Sequence, residues 1–342
     1  MLNQFSSTRF CTKKVSNLFH LNIYKNGGLK ASYSMKPLLT SKHNSISKRY
    51  INLFRTSNKL KYNNNQFDPK DIPSLNRFSS YTKQAKENNF KHILKIIAFG
   101  CTFMAGTFFG LPLLKDYIPK DPNVVIYSIV GLNLAVFGLW HIKPNNFSFQ
   151  KKLTESFLLQ KNFHILKLRQ MILSGFSHRE FWHLGCNMLC LISFSGPLIA
   201  TIGSVGYLSL YFNALMMSSM FSVLYPNILK ALFKRVSSTS FNPSLGASGA
   251  LFGVFGVFSY LYPNAHLSLF FIPLPLGAWQ IFIGSVGFNV MGVVMRVGAL
   301  DFLAHLGGSV VGIFYGLYFK HIIDKKRQAR AGRTTSLFDI FK

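Results

Sequence analysis

Acidic residues are scarce. Ten Asp and Glu stand against 38 Lys and Arg in 342 residues, a formal charge of +28, and charged residues of both signs make up only 14%. A soluble chain carries about 25% charged residues, so the shortage argues against an ordinary soluble domain and for one that faces lipid. Cysteine is sparse as well. Cys11, Cys101, Cys186 and Cys190 form no CxxC pair, which excludes a disulfide framework and a CxxC redox or zinc site. HExxH is absent, and with it the helical signature of a zinc peptidase. No metal or organic cofactor is expected.

What is abundant is apolar and basic. Hydrophobic residues make up 49% of the chain and Phe alone numbers 35. Residues 1–67 hold twelve Lys and Arg, many Ser and Asn, and no Asp or Glu. Phe5, Phe10, Val15, Leu18 and Phe19 alternate with Arg9, Lys13 and Lys14. A cationic, acid-free, Ser-rich start is the pattern of a mitochondrial transit peptide, because positive charge is drawn to the negative inner face of an energised membrane. Residues 68–90 read as a polar linker. The remaining basic residues cluster in loops and in the tail 323–342, so nucleic acid is not an expected partner.

About twenty apolar residues cross a bilayer as a helix. Windows of that kind fall at about 93–114, 123–142, 181–202, 204–225, 246–261, 276–295 and 301–322. Trp140 reads as an interface anchor at the end of the second. The reading is an all-α polytopic helical bundle lying in a lipid bilayer, with an extra N-terminal helix at 91–115 before a core at 120–322. With the N-terminal end in the matrix, the basic loop 143–170 falls on the matrix side, as the positive-inside rule prefers. The basic tail breaks that rule.

Polar and ionisable groups inside such windows are costly and point to function. Three clusters occur. "SHREFWHLGCN" carries His178, His183 and Asn187, the last two one helical turn apart and so on one face. "LGASGALFG" carries Ser248 between Gly246 and Gly249, with Phe252 four residues on. "DFLAHLGGSVVG" carries His305 one turn after Asp301 and three residues before Gly308. Ala304, Gly308, Gly312 and Gly316 form one stripe of small residues, and Gly249, Gly253 and Gly256 another. Two such stripes let helix backbones approach closely, which would bring an imidazole to a hydroxyl. Serine needs an adjacent base to act as a nucleophile.

The His178–His183–Asn187 run, GASG around Ser248 and AHLGG around His305, in that type and order over residues 120–322, resemble the rhomboid family of intramembrane serine proteases. The transit-like start and extra helix resemble its mitochondrial, presenilin-associated rhomboid-like branch. The resemblance implies Ser248 as nucleophile, His305 as general base, His183 and Asn187 as oxyanion donors, and His178 as a structural neighbour. It implies Gly246, Gly249, Phe252 and Gly308 at the packing and substrate-access surface. It further implies a mitochondrial inner-membrane location and single-span membrane-protein substrates, such as a dynamin-like GTPase and presequence-anchored proteins.

Two departures stand out. Phe252 replaces a Tyr that many relatives stack on the histidine, and the Trp-Arg pair of some bacterial first loops is absent. Asp301 is a candidate third group behind the imidazole. Two other readings stay open: an inactive rhomboid-like binder of membrane proteins, and a transporter with Gly-broken helices.

Overall fold

The computed structural model describes residues 90–162, 165–232, 242–269, 272–295 and 301–330. The expected presequence (1–67) and all but the last residue of the expected linker (68–90) lie outside the described residues, with Cys11.

Most of the described chain is helical. Helix α1 (Phe90–Leu114) is apolar and ends through a π-helical turn, Gly106–Gly110, and a 3₁₀ turn, Leu111–Leu114. Helix α2 (Pro122–Ile142) starts with Pro at its first position and with the Asp121 carboxylate accepting from the Asn123 N–H at 2.9 Å, a standard N-cap. The basic loop after it is not featureless. It contains the amphipathic α3 (Phe147–Phe157), capped by Asn146, and the single turn α4 (Gln170–Leu173).

The long stretch Phe181–Leu232 is broken at Gly203, which takes φ 75° and ψ 162°. Twelve residues of unbroken helix would span about 18 Å, yet Ser195 Oγ and Tyr207 OH lie 2.6 Å apart. The chain therefore folds back at Gly203 into two limbs, α5 (181–202) and α6 (204–232). Next come α7 (Ser248–Leu261), a short antiparallel hairpin of β1 (His266–Leu269) and β2 (Ile272–Gly277), α8 (Ala278–Met295) and α9 (Phe302–Arg330).

The polytopic helical reading holds, with local differences. Among the described residues, five helical stretches are long and apolar enough to cross a membrane, including Phe181–Asn227, which holds two of the expected windows. The expected window 246–261 becomes α7, only 14 residues long. The hairpin takes up the first residues of the window at 276, because Pro273 and Pro275 cannot donate to an α-helical ladder. Helix α9 continues past 322 to Arg330, so part of the basic tail is helical. Trp140 is no interface anchor. It is 4% exposed, its indole N–H donates to Ser177 Oγ at 2.8 Å, and the Arg179 guanidinium lies over its ring at 4.7 Å.

Helices α6, α7 and α9 form the packed centre, with Leu210, Ala214, Val254, Val257 and Val311 buried between them. The extra helix α1 docks on α6 and α9 through polar groups inside the apolar layer. Thr107, in the π turn, bonds Asn213 Oδ1. The Asn213 amide donates to Tyr315 OH at 2.5 Å, and Ser209 Oγ lies 2.9 Å from the same hydroxyl. Phe108 packs edge-on to Tyr315 at 6.0 Å.

Candidate active site

The two small-residue stripes meet. A Cβ on Gly308 would overlap the Gly249 carbonyl oxygen, and one on Gly312 would lie 3.0 Å from the Gly256 Cα. At the start of this close crossing, His305 Nε2 lies 2.9 Å from Ser248 Oγ. The Phe252 ring stacks on the imidazole at 4.3 Å and 20°, so the missing phenol does not remove the stacking surface.

The other side of the imidazole is held by a residue outside the three motifs. His305 Nδ1 is 2.8 Å from Oδ1 of Asn289, which is 2% exposed on α8. Asn289 donates its amide to the Ser285 carbonyl at 2.7 Å. Asp301, the expected candidate for this place, is engaged elsewhere. Its carboxylate pairs with Lys161 Nζ at 3.0 Å, accepts from Ser222 Oγ, and caps α9 through the Ala304 N–H at 3.3 Å. It therefore ties the loop before α4 to the start of α9 rather than touching the imidazole.

Ser248 is the first residue of α7, and no side chain caps that end. The first N–H groups of a helix have no intrahelical partner, and the positive end of the helix dipole lies there too. The approach to Ser248 is irregular backbone, which lipid tolerates only when its polar groups are satisfied within the protein. Several of those groups here have partners. Ser244 and Leu159 exchange backbone bonds at 2.8 and 3.1 Å, the Gly246 N–H donates to the Ser174 carbonyl at 3.0 Å, and the Ala247 N–H donates to His178 Nε2 at 3.4 Å.

Gly246 takes φ 126°, and a Cβ there would lie 2.7 Å from His183 Cε1. The His183 ring thus rests on bare backbone one turn's reach from Ser248, edge-on to His178 at 4.9 Å. Asn187 is buried and donates its amide to the His183 carbonyl at 2.7 Å. His178 is fully buried. Burial, and after it the neighbouring His183, push its pKa down to about 3, so its neutral ring can accept from Ala247.

Behind the serine lies a cavity of about 30 Å³ lined by Ser174, Ser218, Ser219, Ser244, Ser248 and Asp301 among others. A space of that size and polarity can hold water. Among the described residues, no group of three or more His, Cys, Asp or Glu is placed to hold a metal ion. Cys101, Cys186 and Cys190 are free thiols.

Every predicted site residue except Asn187 thus has a contact tying it to the Ser248–His305 centre or its approach. Asn187 sits one turn below His183 with its amide turned to its own helix. The residue that sequence reasoning missed is Asn289. Its signal was a lone amide in the apolar run "GSVGFNVMGVV", where a buried polar group needs a partner.

Comparison with known proteins agrees with the architecture. The Rhomboid domain matches residues 166–322. "Rhomboid protein 1, mitochondrial" of Saccharomyces cerevisiae is 42% identical over 268 residues, covering 76% of this chain and 73% of that one. "Presenilin-associated rhomboid-like protein, mitochondrial" of Homo sapiens is 28% identical over 210 residues, 61% of this chain and 52% of its own length. "RHOMBOID-like protein 12, mitochondrial" of Arabidopsis thaliana is 29% identical over 198 residues, 56% and 57% of the two chains. With a motif set, a helical membrane architecture and a relative of this similarity in agreement, the chain belongs to the rhomboid family.

Proposed function

We propose that this chain is a serine endopeptidase of the mitochondrial inner membrane that cleaves other membrane-anchored proteins in or beside their transmembrane segments. The observation that carries the reading is the 2.9 Å contact between Ser248 Oγ and His305 Nε2. Ser248 Oγ gives its proton to Nε2 as it attacks the scissile carbonyl carbon. The carbonyl oxygen becomes an oxyanion, for which the Ser248 N–H, the His183 ring and the Asn187 amide are the proposed donors. For Asn187 this requires its side chain to turn from the His183 carbonyl toward the site. The imidazolium then returns its proton to the leaving amine, and water attacks the acyl-serine with His305 again as base. The polar cavity behind Ser248 supplies space for that water.

The mitochondrial placement rests on the acid-free basic start and on the printed names of the relatives. The substrate class follows from the depth of the site: a nucleophile reached from within the membrane layer meets transmembrane segments first. A dynamin-like GTPase and presequence-anchored proteins are the substrates to try.

The test uses the purified full chain in detergent with a single-span protein substrate and a fluorophosphonate probe. Wild type is expected to cleave the substrate and to be labelled at Ser248. Ser248→Ala and His305→Ala are expected to fall to background in both assays. Cleavage undiminished in either variant overturns the reading.

A further inference from the structure

The contact behind His305 has a consequence for which proton the imidazole carries. A carboxamide oxygen can only accept a hydrogen bond. Asn289 Oδ1 faces Nδ1 at 2.8 Å, so Nδ1 bears the hydrogen and Nε2 presents its lone pair to Ser248 Oγ at 2.9 Å. That is the tautomer a general base needs.

The direction of the carboxamide is itself determined. Its nitrogen donates to the Ser285 carbonyl at 2.7 Å, one turn back on α8. A reversed amide would place its oxygen against that carbonyl oxygen and its NH₂ against Nδ1. The imidazole would then have to carry its proton on Nε2, pointing at the serine and unable to accept from it. Three successive contacts therefore run from a helix carbonyl to the nucleophile: Ser285 C=O, the Asn289 side chain, the His305 ring, Ser248 Oγ. Asn289 is 2% exposed, so no bulk solvent competes for these contacts. Phe252 blocks one face of the ring, and Asp301 is occupied by Lys161, Ser222 and the α9 cap.

We propose that Asn289 is a positioning residue for the peptidase, a third member behind the Ser248–His305 pair. It fixes the imidazole's tautomer and rotation, and after proton transfer its oxygen stabilises the imidazolium at Nδ1. It does so without introducing a second charge into the apolar layer, where a buried carboxylate would itself need a partner. The inference rests on the proposed peptidase activity.

Cleavage of the single-span substrate and the rate of fluorophosphonate labelling are measured for wild type, Ser248→Ala, Asn289→Leu, Asn289→Ala and Asn289→Asp, together with thermal melting. Asn289→Leu and Asn289→Ala remove the acceptor. They are expected to lower kcat and the labelling rate at least about 10-fold, with KM within about twofold of wild type, because second-layer partners of catalytic groups act on that scale. Asn289→Asp keeps an acceptor oxygen for Nδ1, the contact that fixes the tautomer. It is expected to retain most of the lost rate.

A merely structural asparagine would lower melting temperature and active fraction without separating kcat from KM, and Asp would not rescue. Should the Leu variant not fold, the Ala and Asp pair carries the same comparison. Wild-type rates in Asn289→Ala or Asn289→Leu, or an Asp variant as slow as Ala, overturn the inference while leaving Ser248-dependent cleavage standing. A wild-type protein with no Ser248-dependent cleavage or labelling overturns the peptidase reading and this inference with it.

Discussion

At the residue scale the site is a set of histidines put to unlike uses by their surroundings. His305 faces a hydroxyl and an amide oxygen, whereas His178 faces a backbone N–H from Ala247. Accepting that bond requires a neutral ring, and burial keeps it neutral down to about pH 3 against an ordinary value of 6.5. The sign for stability follows. Between 6.5 and about 3 the unfolded chain binds a proton at residue 178 that the native chain refuses, so native stability falls as pH drops through that window, by at most about 1.4 kcal/mol per pH unit. Above 6.5 neither state binds it, and the contribution is flat. His178→Gln offers a neutral acceptor that does not titrate. Its melting temperature in detergent is expected to change less between pH 7.5 and pH 5 than that of wild type. Equal slopes for the two proteins would show that His178 does not hold the loop before Ser248 in this way.

At the scale of elements, the distance between Ser248 and His305, the proposed nucleophile and base, is set by how closely α7 and α9 approach. Gly308 seats the Gly249 carbonyl where a Cβ would otherwise be. Gly308→Val would drive the two backbones apart, and a misplacement of about 1 Å between reacting groups can lower a rate about 100-fold. The variant is expected to lose activity at least that far while remaining a helical, extractable membrane protein. The controls are Gly284→Ala and Gly287→Ala on α8, where an added Cβ meets nothing within 4 Å. They are expected to leave cleavage unchanged, because added helix propensity is all they bring.

This crossing was legible in the sequence, since small residues at spacing four on two segments have few other uses. So was the order of the three polar motifs. Asn289 was not, because it lies 16 residues before its partner on a separate helix and belongs to no spacing pattern. Nor was the use of Asp301. Its position one turn before His305 suggested the imidazole, but Lys161, 140 positions earlier by number, competes for it across a loop that only the fold brings close. Local periodicity carries contacts along one helix; it carries none between segments whose pairing depends on tertiary packing.

For the whole molecule, the length of α7 decides how the site meets the bilayer. Fourteen residues rise about 21 Å, roughly 9 Å short of a hydrocarbon core of about 30 Å. A helix this short does not cross that core by itself, and the hydrogen-bonded approach at 242–247 is what would let its Ser248 end lie below the surface. The starts of α5, α7 and α9 all border this recess, as the Gly246–His183 approach and the Ser248–His305 contact require. The basic loop shares that side. Leu159 pairs with Ser244, and Lys161 with Asp301, so Lys151, Lys152, Lys161, Lys167 and Arg169 belong to the segment that borders the mouth of the site.

Helix α9 leaves from the mouth and its 29 residues rise about 43 Å, enough to carry Lys325, Lys326, Arg327 and Arg330 beyond the far surface. Positive charge therefore lies at both faces; under the proposed inner-membrane placement, the transit-like start favours a site that opens to the matrix. Cysteine labelling in mitoplasts decides it. In a chain freed of its own cysteines, Glu180→Cys beside the mouth is expected to be shielded from an impermeant maleimide until the inner membrane is lysed. Asn264→Cys, exposed beyond the far end of α7, is expected to react before lysis. The reverse pattern would place the mouth in the intermembrane space and leave the basic loop on the side the positive-inside rule disfavours.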